Sequence, residues 1–291
     1  MTSLKNNPQL VVIVGQTASG KSALALDLAS RFGGEIIAAD SRTVYRGMDI
    51  GTAKPTESEV SKVRHHLINV VDPATSFTVA DFKELANKAI LDVAARGKLP
   101  ILVGGTGLYV DAVLYDFSFR EPADPKLRKM LEGLSAEELQ NRLTEQGLAL
   151  PSNQLNPRHL IRTLETKGQT GGRKRFRSNT LILGLQVEPD VLRQRVADRV
   201  EGMVADGLVY ELKHLSEMYG WSNPALQTPA YKAFRPYLEG TISLDEAKQQ
   251  FTQNDLQYAK RQKTWFKRNK VIQWISKTED AVDLVATFLN K

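Results

Sequence analysis

The most constraining feature of this sequence is the segment VVIVGQTASGKS, which runs from Val11 to Ser22. It fits the phosphate-binding pattern G-x-x-x-x-G-K-[ST], with Gly15, Gly20, Lys21 and Ser22 at the fixed positions. In such a loop, backbone N–H groups surround a phosphate, the lysine adds a positive charge, and the hydroxyl can hold Mg²⁺. Because VVIV reads as a buried strand and SALALDLASRF as a helix with an apolar face, we predict a strand, a phosphate-binding loop and a helix.

Segments of strand and helix character alternate through the first hundred residues. The segments GEIIAAD (34–40) and LPILVGG (99–105) read as further buried strands. Between them, residues 79–96 read as a helix that begins at a capping box of Thr78 and Asp81. This alternation indicates a parallel sheet with crossover helices. The predicted fold class is therefore α/β, with a P-loop NTPase-like parallel sheet core and a helical insertion domain.

The predicted insertion lies in the middle of the chain, where three amphipathic helical segments follow one another without a strand. They are DPKLRKMLEGL, SAEELQNRLTEQG and NPRHLIRTLETKG. Strand character returns only in TLILGLQV, which begins at Thr180, and the chain beyond Pro189 reads as mostly helical. We therefore predict an α/β core formed by residues 1–119 and 179–291, with residues 120–178 as the helical insertion.

The charge distribution indicates a polyanionic partner. The net charge is +6; residues 158–177 hold seven Lys or Arg against Glu165 alone, and residues 260–270 hold six without an acid. Nucleic-acid binding explains such clusters, although basic runs are also common as solvated helix faces. The chain has no cysteine, which excludes thiol catalysis and zinc–thiolate sites. The sequence shows no secretory signal and no membrane-length apolar run, so we expect a cytoplasmic enzyme.

The identity of the bound phosphate is open at this point, because a kinase, an NTP-driven machine and an enzyme that expels diphosphate can share this loop. P-loop NTPases usually supply a carboxylate at the end of a later strand, but ILVGGTG ends in glycines and Thr106. Asp40 is the acid at a strand end near the loop, and it could also be a simple turn former. It opens the segment DSRTVYRGMDIGTAKP (40–55), whose density of charged, aromatic and glycine residues is typical of a functional loop.

These segments resemble the tRNA dimethylallyltransferases, also called tRNA isopentenyltransferases. The resemblance spans nearly the whole chain, and its segment at 40–55 is much more specific than the P-loop. It implies transfer of a dimethylallyl group from dimethylallyl diphosphate to N6 of the adenosine 3′-adjacent to the anticodon in tRNA. The resembling segments are GQTASGKS (15–22), DSRTVYRGMDIGTAKP (40–55), HHLINVVDP (65–73), VADF (79–82), LPILVGGTGLYVDA (99–112), ADPKLR (123–128), PRHLIRTLE (157–165) and KRQKTWFKR (260–268).

The resemblance implies a role for each residue of the phosphate site. Asp40 is the expected general base for the adenine amine, and Thr106 is expected to contact substrate near the reacting centre. Lys21 and a Mg²⁺ ion on Ser22 are expected to stabilise the charge that develops on the leaving diphosphate. No second metal and no redox cofactor is expected. The expected diphosphate-binding residues are Gly15, Gln16, Thr17, Ala18, Ser19, Gly20, Lys21, Ser22 and Lys232.

The resemblance also implies that the insertion clasps the anticodon stem-loop, with the basic run 173–177 and the helix 260–268 adding positive charge toward the RNA backbone. A base that reacts in a loop must leave its stack. The chain departs from the family pattern at His159, where Arg is common, at Ala230, where Gly precedes Tyr231, and at Asn69, where Asp is usual. We expect a monomer. The expected tRNA-binding residues are Asp40, Ser41, Arg42, Thr43, Thr106, Arg128, Arg158, His159, Leu160, Ile161, Arg162 and Arg261.

Two other functions fit part of the sequence. One is a small-molecule enzyme with the same cradle, either a nucleotide kinase or an isopentenyltransferase that acts on free adenine nucleotides. Neither substrate requires a basic helical insertion. The other is a non-catalytic RNA-binding protein with a vestigial P-loop. Such a protein does not need the complete set of Gly15, Gly20, Lys21, Ser22 and Asp40.

Overall fold

The chain forms a six-stranded parallel sheet in this computed structural model, which describes residues 7–117, 119, 124–169 and 175–290. The strands are β1 (Leu10–Gly15), β2 (Gly34–Ala38), β3 (His65–His66), β4 (Leu99–Gly104), β5 (Thr180–Leu185) and β6 (Gln273–Ile275). Their order across the sheet is β3-β2-β4-β1-β5-β6. Strands β1 and β4 are buried along their whole length, which explains their continuous apolar sequences. The predicted α/β class with a parallel sheet is confirmed.

Helices account for most of the remaining described chain. They are α1 (Lys21–Phe32), α2 (Glu57–Lys62), α3 (Val79–Ala95), α4 (Gly107–Leu114), α5 (Pro125–Glu132), α6 (Ala136–Glu145), α7 (Pro157–Glu165), α8 (Pro189–Ala205), α9 (Leu208–Tyr219), α10 (Pro229–Leu238), α11 (Leu244–Phe266) and α12 (Thr278–Leu289). The predicted capping box at Thr78 and Asp81 is present at the start of α3. No helix within the described ranges is long and apolar enough to cross a membrane.

The strand, loop and helix predicted from the opening motif are β1, the P-loop and α1. Gly20 precedes α1 with φ 94°, and Gly33 ends it with φ 61°. Both values lie in the left-handed region, which glycine adopts without the steric cost of a Cβ atom. These two glycines therefore fix where the helix begins and ends, and they hold its N-terminus directly behind the loop.

Two short elements, α2 and β3, were not predicted. Thr56 and Glu59 form a capping box at the start of α2, so a local signal was available. The helix has only six residues and none of them is buried, so no apolar periodicity marks it. Strand β3 has only two residues, which is too short for any alternation to appear.

The chain divides into two compact units, one formed by residues 1–114 with 177–291 and the other by residues 115–176. The second unit contains α5, α6 and α7, which pack around a small leucine-rich core. The carboxylate of Glu165 is almost fully buried in this unit and pairs with the guanidinium groups of Arg128 and Arg162. The unit therefore has its own apolar core and its own buried ion-pair network.

Candidate active site

Three segments expected to carry the chemistry meet at one edge of the sheet, because β2, β4 and β1 are neighbours and run in parallel. The P-loop follows β1, Asp40 follows β2, and Thr106 follows β4. A direct contact joins two of them: the backbone N–H of Ser41 donates to Thr106 Oγ1 at 3.1 Å. The geometry thus places Lys21, Asp40 and Thr106 on three adjoining loops at this edge of the sheet.

The P-loop encloses a cavity of about 290 Å³, which we call the P-loop cavity. Residues 17–22 line it, together with Asp40 and Thr43. The other two predicted loop residues, Gly15 and Gln16, are not among its lining residues. The Gln16 side chain instead donates to the Ala259 carbonyl at 3.2 Å. The cavity therefore presents six of the nine expected diphosphate-binding residues.

Lys21 is held under the loop by a hydrogen bond from its Nζ to the Gln16 carbonyl at 2.8 Å. Desolvation lowers the pKa of Lys21 to about 8; the Asp40 carboxylate acts in the opposite direction, and Arg199 lowers it further. The ammonium is thus charged at neutral pH but poorly solvated. An anion in the cavity would supply the counter-charge that this group lacks.

Arg199 on α8 is a site residue that the sequence reading missed. Its Nη1 donates to Thr17 Oγ1 at 2.7 Å, and its Nη2 pairs with the buried carboxylate of Asp255 on α11. Burial lowers the Arg199 pKa to about 10, and the Asp40 charge partly offsets this effect. A second arginine of α8, Arg195, reaches the Ser19 carbonyl at 3.4 Å. The P-loop is therefore flanked by two guanidinium groups from α8.

A second cavity of about 370 Å³ adjoins the first, and we call it the base cavity. Its lining includes Ser41, Arg42, Lys232, Tyr258 and Arg261. The residues that line both cavities are Thr17, Asp40, Thr52, Ala53 and Arg199. Asp40 therefore lies where the two cavities meet.

Lys232 lies apart from the other residues predicted to bind diphosphate, and its role stays a prediction. Lys232 is exposed and lines the base cavity; it is not among the residues of the P-loop cavity. Helix α10 begins at Pro229 and buries Tyr231, so Lys232, the next residue, lies on the side that lines the base cavity. The side-chain cations that line the P-loop cavity are Lys21 and Arg199.

The contacts of Asp40 fit both roles considered for it, which are turn former and general base. Asp40 Oδ1 accepts a hydrogen bond from the backbone N–H of Arg42 at 2.8 Å, as a turn-forming aspartate does. The same residue lines both cavities. Arg42 contacts the carbonyls of Pro224 and Ala225 through Nη1, so it also ties this turn to the chain before α10. The cap and a chemical role are compatible.

The rest of the 40–55 loop is held by a buried carboxylate on α9. Glu211 accepts hydrogen bonds from the backbone N–H groups of residues 49, 50 and 51 at 2.7 to 2.8 Å, and from the Tyr231 hydroxyl at 3.0 Å. A Cβ atom at Gly51 would lie 2.4 Å from the Tyr231 ring, so only glycine fits there. Ala230, where the family pattern has glycine, lies in the first turn of α10 and leaves these Tyr231 contacts intact.

The expected tRNA-binding residues of the second unit are not equivalent. Arg158 and His159 are exposed at the start of α7. Leu160 and Ile161 are buried in the unit's core, so only the backbone of these two residues could meet RNA, and their place among the tRNA-binding residues stays a prediction. Their burial follows from the amphipathic pattern of α7, which turns both side chains inward. The exposed face of α7 carries Arg158 and His159.

The two basic clusters also separate into different environments. Arg173 and Lys174 lie outside the described residues, and Arg175 is exposed. The Arg177 guanidinium is partly buried, and this burial lowers its pKa. In the second cluster, Arg261 is exposed and lies over the Tyr258 ring at 5.7 Å. The exposed face of α11 is therefore the better-defined basic surface.

Comparison with known sequences places these features in a family. A family model described as IPP transferase matches residues 43–269. The tRNA dimethylallyltransferase of Geobacillus thermodenitrificans is 40% identical over 287 residues, covering 93% of this chain and 91% of that protein. The tRNA dimethylallyltransferase of Geobacter metallireducens is 44% identical over 285 residues, covering 92% of each. The match thus extends well beyond the P-loop.

Solved structures give the same grouping. A tRNA isopentenylpyrophosphate transferase from Bacillus halodurans superposes with a TM-score of 0.75 at 38% identity, covering 97% of both chains. A eukaryotic dimethylallyltransferase described as acting on tRNA superposes with a TM-score of 0.83 at 27% identity, covering 97% of this chain and 80% of that one. Sequence and fold are therefore shared along almost the whole chain.

Proposed function

The chain belongs to the tRNA dimethylallyltransferase family, and we propose that it transfers a dimethylallyl group from dimethylallyl diphosphate to N6 of the adenosine 3′-adjacent to the anticodon in tRNA. The observation that carries this proposal is the junction of the two cavities at Asp40. A diphosphate in the P-loop cavity and an adenine in the base cavity would then meet beside one carboxylate. Dimethylallyl transfer needs this arrangement, since donor and acceptor must react without an intermediate carrier.

In this reaction the adenine N6 attacks the allylic C1 of the donor, and the bond between C1 and the diphosphate oxygen breaks. The electron pair of that bond leaves on the diphosphate. Lys21, Arg199 and the loop N–H groups stabilise the developing charge. The amine must lose one proton as the new C–N bond forms, and Asp40 accepts it. Thr106, which is fixed to the Asp40 turn through Ser41, contacts substrate beside them.

Mg²⁺ belongs to the same proposal, with Ser22 as its protein ligand. Ser22 lies in the first turn of α1 and lines the P-loop cavity, where its hydroxyl can reach an ion on the diphosphate. The described residues contain no group of three or more His, Asp or Glu side chains arranged around a metal, so diphosphate and water would supply the other ligands. When bound, the ion would neutralise part of the charge that develops on the leaving group.

The test is to incubate the protein with dimethylallyl diphosphate labelled in the prenyl group, together with either unmodified tRNA or AMP. We expect label in tRNA at the adenosine next to the anticodon and none in AMP. Label in AMP would indicate an enzyme that acts on free nucleotides. A protein that binds tRNA but labels neither acceptor would contradict enzymatic transfer and leave an RNA-binding protein.

The lowered Lys21 pKa predicts how diphosphate affinity depends on pH. Below pH 8 the ammonium is charged in the free protein, and above pH 8 binding must first recharge it. We therefore expect the affinity for inorganic pyrophosphate to fall by roughly tenfold per pH unit above pH 8. Calorimetric titration between pH 7 and 9.5 measures this. Lys21→Arg is the control, because arginine stays charged over this range. Any pH dependence that comes from the pyrophosphate itself appears in both proteins, so parallel curves would contradict a role for the Lys21 charge.

The two kinds of arginine in the second unit predict two different phenotypes. Arg158 is exposed, so Arg158→Gln should leave folding intact and reduce the slope of log K for tRNA against log salt by roughly 0.7 to 0.9. Arg128 pairs with the buried Glu165 through Nε at 2.7 Å. Arg128→Gln should therefore reduce the free energy of unfolding by about 1 to 3 kcal/mol. Filter binding at several salt concentrations measures the tRNA effect, and thermal melts measure stability. Identical results for the two variants would contradict a binding role for Arg158 and a stabilising role for Arg128.

A further inference from the structure

Gln262 on α11 is buried, with 4% of its surface exposed, and it joins two loops of the active site. Its Oε1 accepts a hydrogen bond from the backbone N–H of Thr17 in the P-loop at 2.7 Å. Its Nε2 donates to the Gly105 carbonyl, directly before Thr106, at 3.1 Å. Gln262 is not among the residues that line either cavity. One side-chain amide thus connects the loop after β1 with the loop after β4.

The glycines of the GGTG segment make room for these contacts. A Cβ atom at Gly105 would lie 2.1 Å from Gln262 Nε2, and one at Gly104 would lie 2.0 Å from the Ala39 carbonyl oxygen. A Cβ atom at Gly107 would lie 2.3 Å from the Trp265 ring on α11. Distances below 3.0 Å do not occur for real Cβ atoms. Gly104 and Gly107 therefore leave no room for a side chain, and a side chain at position 105 would displace the Gln262 amide.

The Gln262 contacts continue as far as Asp40. Thr106, next to Gly105, accepts the N–H of Ser41, and Ser41 follows Asp40 directly. The P-loop, Gln262, the Thr106 loop and the Asp40 turn therefore form one unbroken series of hydrogen bonds and peptide bonds. Lys21 and Asp40 lie on the two loops that this series connects, and the ladders of β1 with β4 and of β4 with β2 join the strands before them.

We infer that Gln262 is a positioning residue for dimethylallyl transfer, which sets the P-loop at the correct distance from Thr106 and Asp40. This inference rests on the proposed function. In the transfer step, the leaving oxygen, allylic C1 and adenine N6 must be aligned between the two loops. Misplacement of reacting groups by about 1 Å can cost about 10²-fold in rate without removing any group that binds substrate.

Helix α11 does not depend on Gln262 for its attachment to the core. The Asp255 carboxylate pairs with Arg199, Ala259 accepts from Gln16, and Trp265 Nε1 donates to Asp111 at 3.2 Å. The same helix also buries Phe251 and Phe266. A variant that loses only the Gln262 amide should therefore keep α11 in place. It should lose the hydrogen bonds that hold the P-loop and the Thr106 loop at a fixed distance from each other.

The test uses Gln262→Met, which keeps the length and most of the volume of the side chain but removes the hydrogen bonds of the amide, including those to Thr17 and Gly105. Gln253→Met is the matched control, because Gln253 is an exposed glutamine on the same helix. We expect Gln262→Met to bind inorganic pyrophosphate and tRNA within about threefold of the parent, and to lower the single-turnover transfer rate by about 10- to 100-fold. Gln253→Met should match the parent in rate and in affinity.

A second variant, Gln262→Glu, keeps an oxygen for the Thr17 N–H but faces the Gly105 carbonyl with another acceptor. We expect it to show the same split between normal affinity and slow transfer, and it keeps the test valid if Gln262→Met does not fold. The inference is overturned if a folded variant transfers within threefold of the parent rate, or if lost substrate affinity accounts for the whole defect. If the parent itself transfers no label to tRNA, the proposed function fails instead, so the two failures are distinguishable.

Discussion

Asp40→Asn is expected to fold normally and to lose about 10²- to 10⁴-fold in the single-turnover rate of dimethylallyl transfer, the range found for loss of a general base. The substitution keeps the oxygen that accepts the Arg42 N–H at 2.8 Å, so the turn should persist. It removes the group that takes the proton from the adenine amine. Dimethylallyl diphosphate and tRNA should still bind, because their charge contacts lie on Lys21, Arg199 and the exposed basic residues.

Two features of this experiment distinguish a role of Asp40 as general base from a role in holding the turn. Asp72→Asn is the matched control, because Asp72 Oδ1 accepts the N–H of Ala74 at 2.8 Å in the same kind of turn, outside both cavities. The Asp40 charge raises the Lys21 pKa, so its loss lowers that pKa below about 8, and the rate is therefore measured from about pH 6 to 8. A rate loss caused by neutral Lys21 would shrink as the pH falls, whereas loss of the general base would persist. A folded Asp40→Asn variant within threefold of the parent rate would rule out Asp40 as the base.

The features of the fold that could be predicted were those encoded by neighbouring residues. The β1 and β4 runs are apolar along their whole length, and the capping boxes before α3 and α11 mark where each helix begins. Strand order was not predictable in the same way, since β1 pairs with β4 and β5, which are distant in sequence. Local chemistry therefore defines the elements, and the long-range pairing decides which loops meet.

The missed parts of the site have the same physical origin. Arg199 and Gln262 contact Thr17 across more than 180 intervening residues, and nothing in their local sequence distinguishes them from other arginines and glutamines. Leu160 and Ile161 illustrate a different limit of sequence motifs, which do not say whether a side chain is exposed. The apolar spacing of α7 indicated burial of both residues, but the family motif suggested that they bind RNA. Where a motif and periodicity disagree about a side chain, periodicity predicts its exposure better here.

Lys21→Ala should reduce the single-turnover rate at saturating substrates by about 10²- to 10³-fold, the cost of one lost charge-assisted contact in a dry site. The lysine is half-buried beside the loop, and its pKa is lowered because desolvation disfavours the charged form. The diphosphate gains negative charge as the allylic C–O bond breaks, so the interaction with Lys21 becomes stronger in the transition state than in the bound donor. The rate should therefore fall more than the affinity for the donor.

The affinity for tRNA should stay within about threefold of the parent, because Lys21 lines the P-loop cavity and not the base cavity. Lys62→Ala provides the control for loss of a lysine, since Lys62 is exposed at the end of α2. Loss of the Nζ contact to the Gln16 carbonyl could also loosen the loop, so Lys21→Met is measured beside it. Met fills the space without restoring charge, and equal defects in both variants would assign the loss to the charge itself. Near-normal transfer by Lys21→Ala would remove the P-loop lysine from the mechanism, because the variant deletes the Lys21 cation beside the leaving group.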